Sequence, residues 1–353
     1  MKNTAEKIET GERLTAEDGL KLFDADILEL GRLANIVRKR KNERRAYYIV
    51  NRHINYSNIC VNRCRFCAFS RSAGEKGAYE MAMDDILERA KEAHEMGATE
   101  IHIVGGLHPE LPFDFYTAML GEIHSRYPQI HIQAFTAVEI AHIAKIAQLG
   151  VEETLVRLRE AGLGSLPGGG AEVFAPRVRA ELCPDKLPGA EWLNVMRTAH
   201  GLGIRSNATM LYGHIETAEE KIEHLVKLRE LQDETGGFLS FIPLAFHPEN
   251  TEIPGCEPAT GIEDLRHIAV SRLMLDNFDH IKAFWIMLGL KLAQISLAFG
   301  ADDMDGTVIE EKITHMAGAR TPEAVTVGEM KHLISEAGRE PVERDTLYNR
   351  IIR

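Results

Sequence analysis

The residues Tyr47-Tyr-Ile-Val-Asn-Arg-His-Ile-Asn-Tyr56 are rich in β-branched and aromatic side chains and read as a strand. After it, helical and strand-like periods alternate. Apolar residues at helical spacing over 84–96, 113–126, 190–202, 218–234, 263–277 and 290–299 each lead into a short apolar run, at 100–104, 129–135, 204–210, 238–244, 281–285 and 302–305. Two further helices, 137–149 and 152–161, precede a short strand at 163–166. Eight strands joined by helices favour parallel pairing and a closed α/β barrel of the (β/α)8 TIM type, with its site at the C-terminal strand ends. The other arrangement is an open doubly wound sheet, whose ligands bind at one switch in strand order; here the glycine-rich turns are scattered over several strand ends. Residues 1–45 read as a helical extension, opened by the capping-box-like Thr15-Ala-Glu-Asp and continued from Asp26 to Lys41. The barrel is expected over 46–306, and a helical C-terminal extension packed on it over 307–353, with helices at 308–317 and 327–337.

Composition narrows the class without naming a reaction. The chain has 353 residues, 44% hydrophobic and 27% charged, and a net charge of −12, which argues against nucleic acid or an anionic membrane as partner. The basic run Lys39–Arg45 reads as a solvated face. No apolar stretch approaches the roughly eighteen residues of a membrane span, and the N-terminus lacks the apolar core of a signal peptide. A cytoplasmic protein is expected, since clustered thiols are also safest in a reducing compartment.

Three of the five cysteines change the picture. Cys60, Cys64 and Cys67 fall within eight residues directly after the first strand. Loop thiolates at this spacing can turn toward one centre, as they do around iron–sulfur clusters. Three ligands on a [4Fe–4S] cluster leave one iron open to a small molecule, whereas a cluster that only carries electrons normally has four. Zinc would ask for a second ligand pair, and none stands at a convincing distance. Unligated buried thiols are the remaining alternative. Cys183 and Cys256, each beside a proline, read as structural or surface thiols.

Polar groups gather at the expected strand ends. Gly105-Gly106-Leu-His108-Pro-Glu follows the strand 100–104, where glycines allow close backbone approach to a ligand or merely a tight turn. Ser165-Leu-Pro-Gly168-Gly-Gly-Ala-Glu172 lacks both the P-loop lysine and the G-x-G-x-x-G spacing, so a loop beside a ligand is preferred to a phosphate cradle; Glu172 could bond ribose hydroxyls or open a helix. A period of two puts Arg205, Asn207 and Thr209 on one strand face, and Tyr212, His214 and Glu216 continue the same rim. His108, His214 and His247 are each either ligand contacts or satisfied structural histidines. The stretch 246–261 is a lid candidate, and Asp302-Asp-Met-Asp305-Gly lacks the full calcium-loop pattern.

The motif Cys60-x3-Cys64-x2-Cys67, with Phe66 before the last cysteine, resembles that of the radical S-adenosylmethionine (SAM) enzymes. The series NRHINYSNICVNRCRFCAFS, VGGLHPELPFDFY, LPGGGAEVF, SNATMLYGHIET, LQDETGGFLSFIPLAFHPENT and IKAFWIMLGLKLAQISLAFGADDMDGTVIEEK is similar, more narrowly, to the aminofutalosine synthase family of menaquinone biosynthesis. Cyclic dehypoxanthine futalosine synthases and deazaflavin (FO) synthase subunits share the cysteine motif and the PGGGAE-like loop. The resemblance implies a [4Fe–4S] cluster on Cys60, Cys64 and Cys67, SAM as co-substrate held by Phe66, Gly105 and Gly106, and transfer of a 5′-deoxyadenosyl group to 3-[(1-carboxyvinyl)oxy]benzoate. It also implies an electron donor such as flavodoxin or ferredoxin. Glu172 joins the cofactor contacts by position. His108, Arg205, Asn207 and His214 are candidates for the substrate, whose two carboxylates call for fixed cations or N–H donors.

Overall fold

The computed structural model describes residues 2–309 and 311–352, in which ten strands form: β1 Arg45–Ile49, β2 Asn51–Ile54, β3 Glu100–Ile103, β4 His131–Ala134, β5 Ser165–Leu166, β6 Arg205–Tyr212, β7 Phe238–Ala245, β8 His280–Ile281, β9 Asp303–Gly306 and β10 Glu340–Arg344. Strands β2 to β8 pair in sequence order and all in parallel. Only Val50 separates β1 from β2, so one extended run serves two sheets. The eighth place in the ring belongs to β9. On one side it pairs in parallel with β1, and on the other Asp303 bridges Lys282 just past β8, with the Ala283 N–H donating to the Asp303 carbonyl at 2.7 Å. The barrel therefore closes between the end of β8 and the beginning of the chain's first strand.

Helices cover the outside because each strand turns its odd and even residues to opposite faces. In β3, Ile101 and Ile103 are fully buried under the helices, while Glu100 and His102 line the interior. In β4, Ile132 and Ala134 are likewise buried and Gln133 lines the interior; in β6, Asn207, Thr209 and Leu211 face in. A barrel of this type normally fills its middle with apolar side chains. This one carries polar residues there, which need partners.

Helix starts follow the threonine signals. Thr15, Thr136, Thr217, Thr260 and Thr326 each close a capping box with the acid three residues on. The N-terminal residues form helices Lys2–Thr10, Ala16–Phe23 and Ile27–Asn42, the last capped by Asp26. Among the described residues, no helix is long and apolar enough to cross a membrane.

Beyond Gly306 the expectation of helices needs correction. The helix expected at 308–317 shrinks to Ile313–Met316, and residue 310 lies outside the described residues. The helix expected at 327–337 is present as Val327–Glu336. The chain then returns as β10, which pairs in parallel with β1 on the edge opposite β9. Arg344 at its end donates to Asp303 Oδ2 at 2.6 Å, Tyr348 donates to the same oxygen at 2.7 Å, and the neighbouring Asp302 holds Arg272 and His280. The aspartates of the Asp302-Asp303 pair thus anchor buried cations under the barrel.

Candidate active site

The loop after β2 is fixed from several directions. Cys60 N–H donates to the Arg71 carbonyl at 3.0 Å, Val61 N–H to Leu107 at 3.0 Å, and Arg65 N–H to Leu182 at 2.8 Å. From the segment after β7, Glu252 N–H donates to the Arg65 carbonyl at 2.7 Å. The thiols of Cys60, Cys64 and Cys67 line one cavity of about 330 Å³ that descends into the barrel. All are free of disulfides. Among the described residues no three His, Cys, Asp or Glu side chains converge closely enough to hold a single metal ion. Burial pushes the Cys60 thiol up, and the backbone N–H groups of Leu107 and Asn62 oppose this by donating to its sulfur. Donors aimed at a sulfur suit a thiolate, so the donor set fits a thiolate-ligated iron–sulfur cluster.

Cys183 is not isolated. It is 2% exposed and lies within hydrogen-bonding reach of Cys64, whose thiol is pushed up first by that contact and then by burial. Cys256 stays apart, with its thiol 3.7 Å from the His214 carbonyl.

The two glycines after β3 line the same cavity, but their lack of a side chain serves another purpose. A Cβ on Gly105 would meet the Tyr56 ring at 2.7 Å, and one on Gly106 would overlap the Ile59 carbonyl. The turn thus packs directly against the segment that leads into Cys60. Gly105 N–H donates to Glu139 Oε1 at 3.0 Å, Tyr56 OH donates to the same oxygen at 3.0 Å, and Thr136 N–H donates to Oε2 at 2.8 Å. Burial raises the Glu139 carboxyl to about 7 even against these donors. Gly168 is likewise a packing glycine, since a Cβ there would strike the backbone of Ala208 in β6.

Glu172 also reaches the cavity, from a left-handed backbone at φ 47° pinned by Leu211 N–H to its carbonyl at 3.1 Å. Its carboxylate pairs with Lys186 at 2.5 Å, and the same ammonium lies 4.9 Å over the ring of Phe66. Deeper in, Asn207 donates to Gln133 Oε1 at 3.3 Å and accepts from Ser240 at 2.8 Å.

Three expected substrate contacts stand elsewhere. Arg205 is the first residue of β6, at the opposite mouth of the barrel; it is exposed and donates to the Gly237 carbonyl at 3.0 Å. Both ring nitrogens of His108 are engaged: Nδ1 accepts from Glu110 and Leu111 N–H of its own turn at 3.1 Å each, and Nε2 meets Glu80, from the segment before the helix Met83–Glu95, at 2.9 Å. In His214, Nε2 donates to the Leu211 carbonyl at 3.0 Å, Nδ1 lies 2.8 Å from both the Ile215 N–H and Glu216 Oε2, and the side chain is fully enclosed. None of the three lines the cavity of the thiols.

The comparisons with known proteins meet this geometry. Residues 54–228 match the model of the radical SAM superfamily, and residues 235–351 match that of the CofH/MqnC C-terminal region. The chain is 49% identical to the aminodeoxyfutalosine synthase of Thermus thermophilus, with 98% of this chain and 95% of the relative covered. The chain belongs to the radical SAM superfamily, in the family that contains the aminodeoxyfutalosine synthases. This radical SAM enzyme is also 43% identical to the 5-amino-6-(D-ribitylamino)uracil–L-tyrosine 4-hydroxyphenyl transferase of Methanococcoides burtonii, with 96% of each chain covered. In fold it is similar to the FeFe-hydrogenase maturase HydG of Carboxydothermus hydrogenoformans, at a TM-score of 0.76 and 20% identity over 98% of this chain and 80% of that one. As a radical SAM enzyme it transfers a group and uses a [4Fe–4S] cluster and SAM.

Several cavity residues of this radical SAM enzyme were not singled out from its sequence: Lys186, Glu139, Lys282, and the stacked rings of His53 and His102. For the two histidines the signal is the alternation Asn-Arg-His-Ile, Glu-Ile-His-Ile and His-Ile-Gln-Ala in β2, β3 and β4, where a polar residue repeats every second position of a buried strand.

Proposed function

We propose that the chain is an aminodeoxyfutalosine synthase, which adds the 5′-deoxyadenosyl group of SAM to the vinyl carbon of 3-[(1-carboxyvinyl)oxy]benzoate; rearrangement and loss of carbon dioxide then give aminofutalosine for menaquinone. The observation that carries this reading is the 49% identity to a synthase of that name across nearly all of both chains. Cys60, Cys64 and Cys67 hold the [4Fe–4S] cluster in this reading. When bound, the cluster supplies one electron to the SAM sulfonium, received in turn from a flavodoxin- or ferredoxin-like donor. The remaining work falls to side chains. Phe66, Gly105 and Gly106 frame the space beside the thiols, and the Glu172–Lys186 pair offers one acceptor and one cation to polar parts of SAM. Val138, Leu211, Ile242, Leu244 and Phe284 make dry walls that keep water from a reactive carbon radical.

The second reading is a hydroxyphenyl transferase, favoured by the 43% identity to that enzyme. The two differ in where the adenosyl carbons go. SAM carrying carbon-13 in its ribose, incubated anaerobically with dithionite and the enolpyruvyl benzoate, should pass its label into a product that also holds the benzoate ring. Turnover with stoichiometric free 5′-deoxyadenosine and an unlabelled aromatic product would overturn the reading. No reaction, alongside turnover of 5-amino-6-(D-ribitylamino)uracil with L-tyrosine, would select the second.

A further inference from the structure

His53 and His102 occupy equivalent third positions in adjacent strands, β2 and β3, in register with each other. Their rings stack at 4.5 Å between centroids and 15° between planes, and both line the cavity. His102 Nδ1 lies 3.2 Å from Gln133 Oε1, which also accepts from Asn207, so the proton sits on Nδ1 and Nε2 is left as a bare acceptor. His53 is only 7% exposed, and the exposure it keeps is toward the cavity that it lines. Ring nitrogens on a cavity wall can take a hydrogen bond from, or give one to, whatever occupies the cavity.

Depth decides which part of a ligand arrives there. The cysteine loop leaves the C-terminal end of β2, past Ile54, while His53 lies within the strand and His102 beside it. A substrate whose vinyl carbon meets the adenosyl group near the thiols must send its far end down toward the histidines. We propose that His53 and His102 form the seat for the ring carboxylate of the substrate, an inference that rests on the function proposed above.

The surroundings dictate how a carboxylate can be accepted. Facing the pair are Glu100 from β3, Asp305 from β9, Glu311 from the segment after it, and Lys282 from the end of β8. Lys282 lies 3.3 Å from Asp305, Glu100 accepts from Asn51 at 3.1 Å, and Glu311 accepts from the N–H groups of Ile313 and Thr314. No arginine lines the cavity among the described residues. Burial holds both imidazoles neutral in the free protein. An incoming carboxylate therefore draws one proton from solvent onto the pair, and the new imidazolium donates to it in a charge-assisted hydrogen bond.

The test uses the cluster-loaded protein without reductant and two unreactive probes. One is 3-(1-carboxyethoxy)benzoate, the saturated form of the substrate; the other is 2-phenoxypropanoate, which lacks the ring carboxylate. For wild type, affinity for the first should rise about tenfold per unit fall in pH near neutrality, as uptake of one proton requires, and calorimetry in buffers of different ionisation enthalpy should show that proton. His53→Gln and His102→Gln should each weaken it about tenfold or more and abolish the uptake, with SAM binding and affinity for the second probe unchanged. Equal losses for both probes, or tight binding of the first without proton uptake, would overturn the inference and leave the proposed function standing. Failure of wild type to bind the first probe at all would overturn both. The proton measurement needs no variant, so a poorly folding mutant does not remove the test.

Discussion

Gly106 sits against Ile59 so closely that any side chain on the glycine would overlap the isoleucine carbonyl, one residue before Cys60. The Gly-Gly turn and the cysteine loop are one packed unit. A substitution at Gly106 therefore acts first on the loop and only then on whatever occupies the cavity.

Gly106→Val is thus expected to lose iron as well as SAM binding, since the loop must shift to admit the side chain. Iron content after anaerobic reconstitution checks this. A variant with full iron and weakened SAM binding would mean that the glycine faces the ligand instead.

The cysteines should separate into three classes. Cys60→Ala, Cys64→Ala and Cys67→Ala should abolish both the cluster and SAM cleavage, and Cys256→Ala should leave both near wild type. Cys183→Ala should retain iron. In the free protein the Cys64 thiol donates toward Cys183; once Cys64 is a ligand thiolate only the Cys183 S–H can donate, and because a hydrogen bond to a ligand sulfur helps set a cluster's potential, its removal should make reduction harder. An anaerobic redox titration reads that shift; loss of iron would make Cys183 a ligand.

Lys186→Met strands the Glu172 carboxylate, whose side chain is 9% exposed, beside an apolar ring. Breaking one partner out of such a pair costs about 3 kcal/mol, and Lys186→Met combined with Glu172→Gln should recover most of it. Denaturant unfolding of both variants measures the difference. No recovery in the double variant would show that Lys186 stabilises the fold through Phe66.

Glu139 gives the protein a pH signature. Its carboxyl ordinarily titrates near 4.5 and here near 7 because burial disfavours the charge. Between those values the folded form holds a proton that the unfolded form has lost, so stability falls as pH rises across this window, by an amount on the order of 3 kcal/mol. Glu139→Gln should flatten that slope. Unfolding curves at pH 5 and about pH 7.5 suffice, and an unchanged slope in the variant would assign it to other groups.

The barrel was legible because each strand and helix announces itself within a few residues: Thr136 with Glu139 starts a helix, and Ile101 with Ile103 marks one strand face. The thiols were legible for the same local reason. Arg205 misled because a period of two says which residues share a face, but not how far along the barrel axis the first of them lies. His108 and His214 misled because near neighbours, and for His108 also the distant Glu80, take up their nitrogens, which spacing alone does not reveal. Lys186 and Lys282 depend on how distant segments meet: one reaches back to a loop fourteen residues earlier, the other forward to Asp305. Strand β10 carries Glu-Pro-Val-Glu-Arg, with little apolar signal, and owes its place to an edge that only the folded barrel offers.

That edge orders events in time. Tyr48 in β1 bonds Glu343 in β10 across 295 positions of chain, and Arg344 in β10 ties down Asp303 of β9, the strand that closes the ring. During synthesis, the first strand leaves the ribosome long before the residues that flank and lock it. Until then, one side of β1 is an open row of backbone donors and acceptors, able to pair wrongly. The nascent chain thus passes through a stage with helices and inner strands in place and its seam unfastened, and a chaperone that guards exposed strand edges has most to do at that stage.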